Sequence, residues 1–174
     1  RLTGDLASAQ GRGRRAAEAA VRIRRSEVPA RRVHGIADEL AGLERRLTAL
    51  RAARSWDAAQ VAALADACRL RAAHVAAMDR PVVGIHRDYY PDQLILAGEH
   101  VTVIDFDLYC AGDPALDIGN FVGHVMELGL RHHGDAGHWR RAIDACIDRF
   151  AELSGPGHRA AVEAYTDLTL ARHV

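Results

Sequence analysis

Side chains suited to a buried face recur at steps of three and four residues along the first half of the chain. Residues 11–25, rich in Ala and Arg, predict a first helix that ends before Pro29. The same spacing predicts two further helices. Their stripes consist of Ile36, Leu40, Leu43, Leu47 and Leu50, followed by Val61, Leu64, Cys68, Arg71, Val75 and Met78.

The second and third predicted helices are expected to form an antiparallel helical hairpin over about residues 32–79. Asp57 is suited to cap the third helix, and Gln60, three residues later, would complete a capping box. Each stripe covers about two heptads, whereas a coiled coil is indicated only by three to four. We therefore expect both stripes to pack in the core of one chain and not at a dimer seam.

The middle of the chain changes to short runs rich in β-forming residues. Residues 81–86, 93–98 and 100–106 predict strands, with a hairpin around Gly98, that form a small sheet or paired ribbons. From Asp113, which can cap a helix, and Pro114, which suits a first turn, helices are predicted again over residues 115–130, 135–155 and 160–172. The sequence thus predicts one mainly α domain with a few short strands (an α+β arrangement) over residues 1–174.

Composition excludes several classes of partner. The 174 residues carry 23 Lys plus Arg and 23 Asp plus Glu, so there is no net charge to attract nucleic acid or an anionic membrane. No apolar run reaches the roughly 18 residues of a membrane span, and no signal peptide is recognisable. The three cysteines are odd in number and far apart, which predicts buried free thiols in a cytoplasmic protein.

Acidic residues cluster around the predicted strands. Asp88 lies in a loop after one strand, with Gln93 five residues later, and Asp105 ends another strand. A carboxylate at the end of an apolar strand is costly unless it is paired, and a divalent metal ion is one natural partner. For Asp113 we expect only a helix cap, and for Asp117 only a helix residue paired with a nearby arginine.

Residues 84–121 resemble the protein-kinase-like fold. The loop HRDYYPDQ, residues 86–93, matches the pattern H-R-D-x-x-x-x-N except that Gln replaces the final Asn. The run DFDLYCAGDPALD, residues 105–117, is similar to the small-molecule branch of this fold, the aminoglycoside phosphotransferase and choline-kinase-like family. The order of hairpin, loop, strand pair and helices resembles the C-terminal lobe (C-lobe), with catalytic and metal loops over 84–113 and C-terminal helices over 114–174.

The resemblance implies an ATP-dependent phosphotransferase that acts on the hydroxyl group of a small molecule. It implies that Asp88 is the catalytic base or orienting group and that Asp105 holds Mg²⁺ against the ATP phosphates. Gln93 would be a second metal ligand, since its side-chain carbonyl can offer oxygen to a hard cation. His86 and Asp107 would support these groups, His86 by fixing the loop. The acceptor is not identified beyond a hydroxylated small metabolite.

The resemblance also implies a second lobe. In this fold the glycine-rich loop and the phosphate-binding lysine belong to an N-terminal lobe (N-lobe), yet these 174 residues include no lysine. Gly11 and Gly13 follow no predicted strand, so a phosphate loop is not expected there. We expect an N-lobe upstream that holds the nucleotide-binding residues, and we expect this chain alone to be inactive.

Three alternatives remain open. A non-catalytic, pseudokinase-like binding or scaffold module would explain the absent lysine and Gln93, but the intact Asp88 and Asp105 oppose it. A haloacid-dehalogenase-like phosphatase would make Asp105 a nucleophile and Asp107 an acid or base, but would leave the His-Arg-Asp loop unexplained. The last alternative is a metal site built from His124, His132, His133 and His138.

Overall fold

Six α-helices and four short strands make up the part of the chain that the structure describes. The structure is a computed structural model, and it describes residues 6–53 and 56–173. The helices are α1 (Leu6–Arg25), α2 (Ile36–Ala52), α3 (Ala58–Ala76), α4 (Ala115–His133), α5 (Arg140–Ser154) and α6 (Arg159–Arg172). The strands are β1 (Val83–Ile85), β2 (Leu94–Ala97), β3 (His100–Val103) and β4 (Cys110–Gly112). The predicted mainly helical fold with a few short strands is confirmed.

The predicted helical hairpin is formed by α2 and α3, which pack against each other. Asp57 caps α3 as expected, since its Oδ1 accepts hydrogen bonds from the backbone N–H groups of Ala59 (2.6 Å) and Gln60 (3.3 Å). Within the described residues, the Gln60 side chain makes no return bond to Asp57, so the capping box is half formed. At α2 the carboxylate of Asp38 accepts from the N–H of Gly35 at 2.9 Å.

The two stripes of the hairpin pack inside the chain. Leu43 and Leu47 of α2 and Cys68 and Val75 of α3 are buried, and α3 also packs against α6. Arg71, which the spacing assigned to the stripe, is exposed instead and pairs with an aspartate of α6. The preference for core packing over a dimer seam is therefore supported.

Two helix pairs approach closely because glycines lie at their contacts. A Cβ atom on Gly13 of α1 would lie 2.1 Å from the carbonyl oxygen of Ala142 in α5. A Cβ atom on Gly119 of α4 would lie 2.4 Å from the Cβ of Tyr165 in α6. No side chain fits at these distances. The close packing of α1 on α5 and of α4 on α6 therefore requires glycine at these two positions.

The strands form two separate antiparallel pairs. β2 and β3 are the predicted hairpin, which turns at Gly98 with φ +58°. β1 pairs with β4, a strand that the sequence pattern did not predict, in a register that sets Ile85 opposite Cys110. β1 ends where the loop of residues 86–93 begins, and β2 begins where that loop ends. The two pairs therefore hold both ends of this loop.

The segment between α4 and α5 differs from the prediction. α4 continues to His133, and α5 begins at Arg140, not at Asp135. Asp135 accepts a hydrogen bond from the N–H of Gly137 at 2.7 Å. Such a local side-chain bond competes with helix formation, so Asp135 forms a turn, and Trp139 lies just before the helix.

Asp113 caps α4 as expected and also forms a buried ion pair. Its Oδ1 accepts from the N–H of Ala115 at 2.9 Å. Arg80 donates from Nε to Oδ2 at 2.8 Å and from Nη2 to Oδ1 at 2.7 Å. Arg80 Nη2 also lies 2.7 Å from Nδ1 of His158. Burial lowers the pKa of His158, and the charge of Arg80 lowers it further. The pair joins the segment before β1 to the start of α4.

All three cysteines are buried free thiols, as the sequence predicted. Burial raises the pKa of Cys146 to about 12. Within residues 6–53 and 56–173, no helix combines the length and apolar character that crossing a membrane would require.

Candidate active site

The loop of residues 86–93 carries most of the predicted site. It leaves β1 at His86 and closes with a single 3₁₀ turn over Pro91–Gln93 before β2. Arg87 has φ +71°, in the left-handed region that is unfavourable for a residue with a Cβ atom. Such a backbone persists only where the surroundings hold it in place, and two residues of α4 do so here.

Asp117 of α4 is the first of these residues. Its buried carboxylate accepts hydrogen bonds from the backbone N–H groups of His86 at 2.9 Å and Arg87 at 2.7 Å. The expectation that Asp117 pairs with an arginine side chain is therefore wrong. Burial raises the pKa of Asp117 to about 6, although the two N–H bonds act in the opposite direction.

Asn120, one helical turn further along α4, is the second. Its Nδ2 donates to the backbone carbonyl of Arg87 at 2.5 Å. Its Oδ1 accepts from Thr169 Oγ1 at 2.7 Å and from Arg172 Nη2 at 2.5 Å, both in α6. Arg87 is thus held at its N–H by Asp117 and at its carbonyl by Asn120. The sequence pattern did not predict that Asp117 and Asn120 anchor the loop. Two polar residues three positions apart in an apolar helix share one face, and this pattern could have indicated a common partner.

His86 joins this loop to the one that carries Asp105. The His86 side chain is buried, and its Nε2 donates to the backbone carbonyl of Ile104 at 2.9 Å. Its ring also packs against Phe106, with centroids 4.8 Å apart. Nδ1 has no hydrogen-bond partner among the described residues. His86 therefore contacts the residues on both sides of Asp105, as a residue that fixes the loops would.

Gln93 and Asp105 are brought together from these two loops. The Gln93 amide Nε2 lies 3.4 Å from Asp105 Oδ2 and 3.2 Å from the hydroxyl of Tyr90. The backbone N–H of Ile104 also donates to the Gln93 carbonyl at 3.0 Å. Asp105, like Arg87, has a left-handed backbone, with φ +62°. A rotation of the amide would place an oxygen of each side chain beside the other, a donor set that suits a hard cation.

Asp88 and Asp107 complete the predicted set. Asp88 is half-buried, and Asp107 is exposed in a turn in which the N–H of Tyr109 donates to the carbonyl of Phe106 at 2.9 Å. Burial raises the pKa of Tyr90, and the charges of Asp88 and nearby carboxylates, including Asp105, raise it further. The charges of Asp88 and Asp105 thus both act on Tyr90, to which the Gln93 amide also donates, whereas no contact within the described residues joins Asp107 to them.

The histidine alternative is not supported. In the described part of the chain, no three His, Cys, Asp or Glu side chains form a group suited to a metal ion. His133 and His138 instead stack face to face with centroids 3.6 Å apart. The His124 ring stacks on Tyr90, with centroids 4.8 Å apart, and meets the His173 ring edge-on, with centroids 4.6 Å apart.

The sequence itself identifies the class of protein. The phosphotransferase enzyme family matches residues 3–164, and the chain belongs to this family. No curated protein matches the chain in sequence.

The solved structures that share its fold include two kinases. The aminoglycoside phosphotransferase APH(3'')-Id from Streptomyces rimosus is 19% identical with a TM-score of 0.54, over 90% of this chain and 61% of that one. A glucosamine kinase is 20% identical with a TM-score of 0.58, over 97% of this chain and 46% of that one. The chain thus spans about half to three fifths of the length of these kinases. At this identity the likeness establishes the kinase-like fold and not a substrate.

Proposed function

We propose that this chain forms the C-lobe of an ATP-dependent phosphotransferase that moves the γ-phosphate to a hydroxyl group of a small molecule. The observation that carries the proposal is the 3.4 Å approach of Gln93 to Asp105. Asp88 lies on the same loop as Gln93, so a base and a metal site would be set at a fixed separation. Membership of the phosphotransferase enzyme family supports this chemistry.

Asp88 is proposed to orient the acceptor hydroxyl and to accept its proton. Phosphoryl transfer is promoted chiefly by positioning and charge neutralisation. The residue before Asp88 is fixed at its N–H by Asp117 and at its carbonyl by Asn120. The rigid backbone favours Asp88 as the group that holds the hydroxyl in place.

Asp105 and Gln93 are proposed to hold Mg²⁺. When bound, Mg²⁺ would neutralise the charge that develops on the ATP phosphates. Asp105 would contribute a carboxylate oxygen, and Gln93 its carbonyl oxygen after rotation of the amide. His86 would keep the two loops together through Ile104, and Asp107 would support the exposed side of the site.

The nucleotide-binding residues are proposed to lie in an N-lobe upstream of residues 1–174, which we assign to a single C-lobe domain. The 174 residues include no lysine to contact the phosphates. Apolar side chains near the site are also unusually exposed, including Ile95 (53%) and Phe106 (44%), and a second lobe would cover them. The free thiols favour a cytoplasmic location. Alone, the chain should not transfer phosphate at a useful rate, and robust transfer by it would refute the half-enzyme proposal.

Metal binding can be tested directly on this chain with Mn²⁺, a paramagnetic substitute for Mg²⁺. We expect Mn²⁺ to broaden the backbone amide signals of Gln93, Ile104 and Phe106 in NMR spectra. Asp105→Asn should abolish the effect and Gln93→Ala should weaken it. Asp92→Asn, which alters an exposed carboxylate of the same loop, is the matched control. Equal broadening in wild type and Asp105→Asn would remove Asp105 from the metal site.

The role of Asp88 is tested in an active preparation that includes the N-lobe. Asp88→Asn should leave nucleotide titrations with and without Mg²⁺ nearly unchanged. It should lower kcat by roughly 10²–10⁴-fold, the usual contribution of general acid–base catalysis. An equal loss of ATP affinity and kcat would assign Asp88 to nucleotide binding instead.

A pseudokinase-like module is the second candidate. The Gln93 amide, as oriented, donates to Asp105 and satisfies the carboxylate without a metal ion. Nucleotide binding that is indifferent to Mg²⁺ would favour this candidate. The phosphatase alternative loses its structural basis, since the described strands form two antiparallel pairs and not the parallel sheet of a Rossmann-like unit.

A further inference from the structure

A polar pocket adjoins the catalytic loop on a side that the proposed chemistry does not use. Its volume is about 320 Å³, and it lies between α2, the end of α6 and Arg87. The charged and polar side chains that line it are His34, Asp38, Glu39, Arg45, Arg87 and Arg172. Three arginines face two carboxylates, so the pocket has an excess of positive charge.

Glu39 and Arg172 neutralise each other within the pocket. Arg172 Nη1 donates to Glu39 Oε2 at 3.0 Å, and His34 Nε2 lies 2.6 Å from Glu39 Oε1. Burial opposes the ionisation of Glu39, but the His34 hydrogen bond and the Arg172 charge outweigh it and lower the pKa of Glu39. Glu39 thus has two side-chain partners, His34 and Arg172, and the charge of Arg87 also lowers its pKa.

Arg45 and Arg87 differ from Arg172 in this respect. Within residues 6–53 and 56–173, neither guanidinium takes part in a hydrogen bond or an ion pair. The remaining carboxylate, Asp38, accepts the backbone N–H of Gly35 at 2.9 Å. Two guanidiniums thus border the pocket with their donors available, and a guanidinium matches the oxygens of a carboxylate or phosphate.

The position of Arg87 ties this pocket to the reacting group. Arg87 directly precedes Asp88, and its backbone is held by Asp117 and Asn120. Asn120 also accepts from Arg172, a second wall of the pocket. The pocket and Asp88 therefore share one rigid support.

We propose that this pocket binds an anionic group of the acceptor, through Arg45 and Arg87, while the acceptor hydroxyl lies at Asp88. The acceptor class is then an acidic hydroxyl compound, with a carboxylate or a phosphate, and not a polycation. This inference rests on the proposed function for the identity of the ligand as an acceptor. The anion site itself does not depend on catalysis.

The test is a calorimetric titration of the 174-residue chain with four probes. Glucose 6-phosphate and glucuronate carry the two anionic groups, glucose is the neutral control and glucosamine is the cationic one. At least one anion should bind roughly tenfold or more tightly than glucose, as expected for charge-assisted hydrogen bonds. Which anion binds distinguishes phosphate from carboxylate, and equal or weaker binding of both relative to glucose would overturn the proposal.

Variants locate the binding. Arg45→Gln and Arg87→Gln should each lower anion affinity roughly tenfold, and Arg46→Gln, the next residue of α2 and outside the pocket, should not. Arg45 is exposed, so Arg45→Gln decides the matter even if Arg87→Gln fails to fold. Anion binding that is unchanged in Arg45→Gln would overturn the proposal.

Asp88→Asn separates this inference from the proposed function. The variant should still bind the anion through Arg45 and Arg87, because Asp88 does not line the pocket. Anion binding without phosphoryl transfer in any active preparation would sink the proposed function and leave the anion site standing. Phosphoryl transfer to neutral acceptors alone, at a rate that Arg45→Gln leaves unchanged, would overturn this inference about the acceptor and leave the proposed function standing.

Discussion

The carboxylate of Asp117, in α4, accepts a hydrogen bond of 2.7 Å from the backbone N–H of Arg87, which lies in a loop 30 residues earlier in the chain. The same carboxylate accepts the N–H of His86 at 2.9 Å. The two successive N–H groups converge on one carboxylate because the backbone turns sharply at Arg87, whose φ of +71° is left-handed. Asp117 thus fixes the conformation on which the placement of Asp88 depends.

Replacement of Asp117 by Asn should loosen the loop locally. The Asn carbonyl can accept one of the two N–H groups, while its NH₂ faces the other and leaves it unpaired. A buried unpaired N–H costs about 1–3 kcal/mol, which corresponds to roughly 5–150-fold faster amide exchange. Hydrogen exchange at pH 7.5 should show this at His86 or Arg87, with amides of α1 as the control. Exchange at both sites as slow as in wild type would show that Asp117 is not the anchor.

The titration of Asp117 should make stability fall with rising pH. Its pKa is about 6 in the folded chain against an ordinary 3.8. Between these values the folded chain keeps the proton and the unfolded chain does not, so the stabilisation present below pH 3.8 is lost by about pH 6. The full loss is roughly 3 kcal/mol. The stability difference between wild type and Asp117→Asn, measured by urea unfolding, should decline across this range, because the opposing titration of His124 is common to both proteins.

His124 should act in the opposite direction. Burial, and then the charges of His173 and Arg172, lower its pKa from 6.5 to about 4. Its neutral ring stabilises the fold above pH 6.5, and this contribution is lost as the pH falls towards 4. His124→Gln should therefore flatten the acid side of the stability profile, measured by thermal unfolding. An unchanged acid slope in this variant would mean that another group titrates there.

Arg80 should be among the most sensitive arginines for stability. Its side chain and that of its partner Asp113 are only 11% and 8% exposed. Arg80→Gln would leave a buried carboxylate unpaired, which costs about 3–5 kcal/mol. The matched control is Arg71→Gln, because the Arg71–Asp167 pair is 56% and 44% exposed and should contribute less than about 1 kcal/mol. Equal losses in urea unfolding would contradict the assignment.

Gly119 should not tolerate a methyl group. Gly119→Ala would place Cβ 2.4 Å from the Cβ and 2.9 Å from the backbone carbon of Tyr165. Overpacking costs about 1–3 kcal/mol or more, against about 1 kcal/mol of helix propensity gained. In Gly42→Ala the nearest atom would be a flexible Arg45 nitrogen at 3.8 Å, so that variant should gain stability. Thermal unfolding of both variants should give shifts of opposite sign, and a stabilised Gly119→Ala would show that α4 and α6 can separate.

Periodicity was sufficient for the helices because their buried faces are contiguous. Leu43 and Leu47 of α2 lie where the three-and-four spacing placed them. The spacing failed at Asp135, where a side-chain bond to Gly137 forms a turn. It also missed β4, whose three residues are too few to show alternation and depend on β1 for their pairing.

The approach of Gln93 to Asp105 agrees with what the loop pattern predicted, whereas the residues that support the loop were not predicted. The roles of Asp88, Gln93 and Asp105 stay a prediction. Asp117 could be located as a polar residue in an apolar helix, but its partner could not be, because the partner is backbone and backbone leaves no mark in a sequence. An arginine partner was predicted for Asp117 because a buried carboxylate most often pairs with an opposite charge.

The three buried thiols can serve as probes of how the fold opens locally. Cys68, Cys110 and Cys146 lie in the core, and burial raises the pKa of each. Alkylating reagents attack thiolates. Burial disfavours the thiolate and excludes the reagent, so labelling requires the surrounding elements to move apart. Because the three residues belong to α3, β4 and α5, their separate labelling rates would report whether the hairpin, the strand pair and the α1–α5 contact open together or one after another.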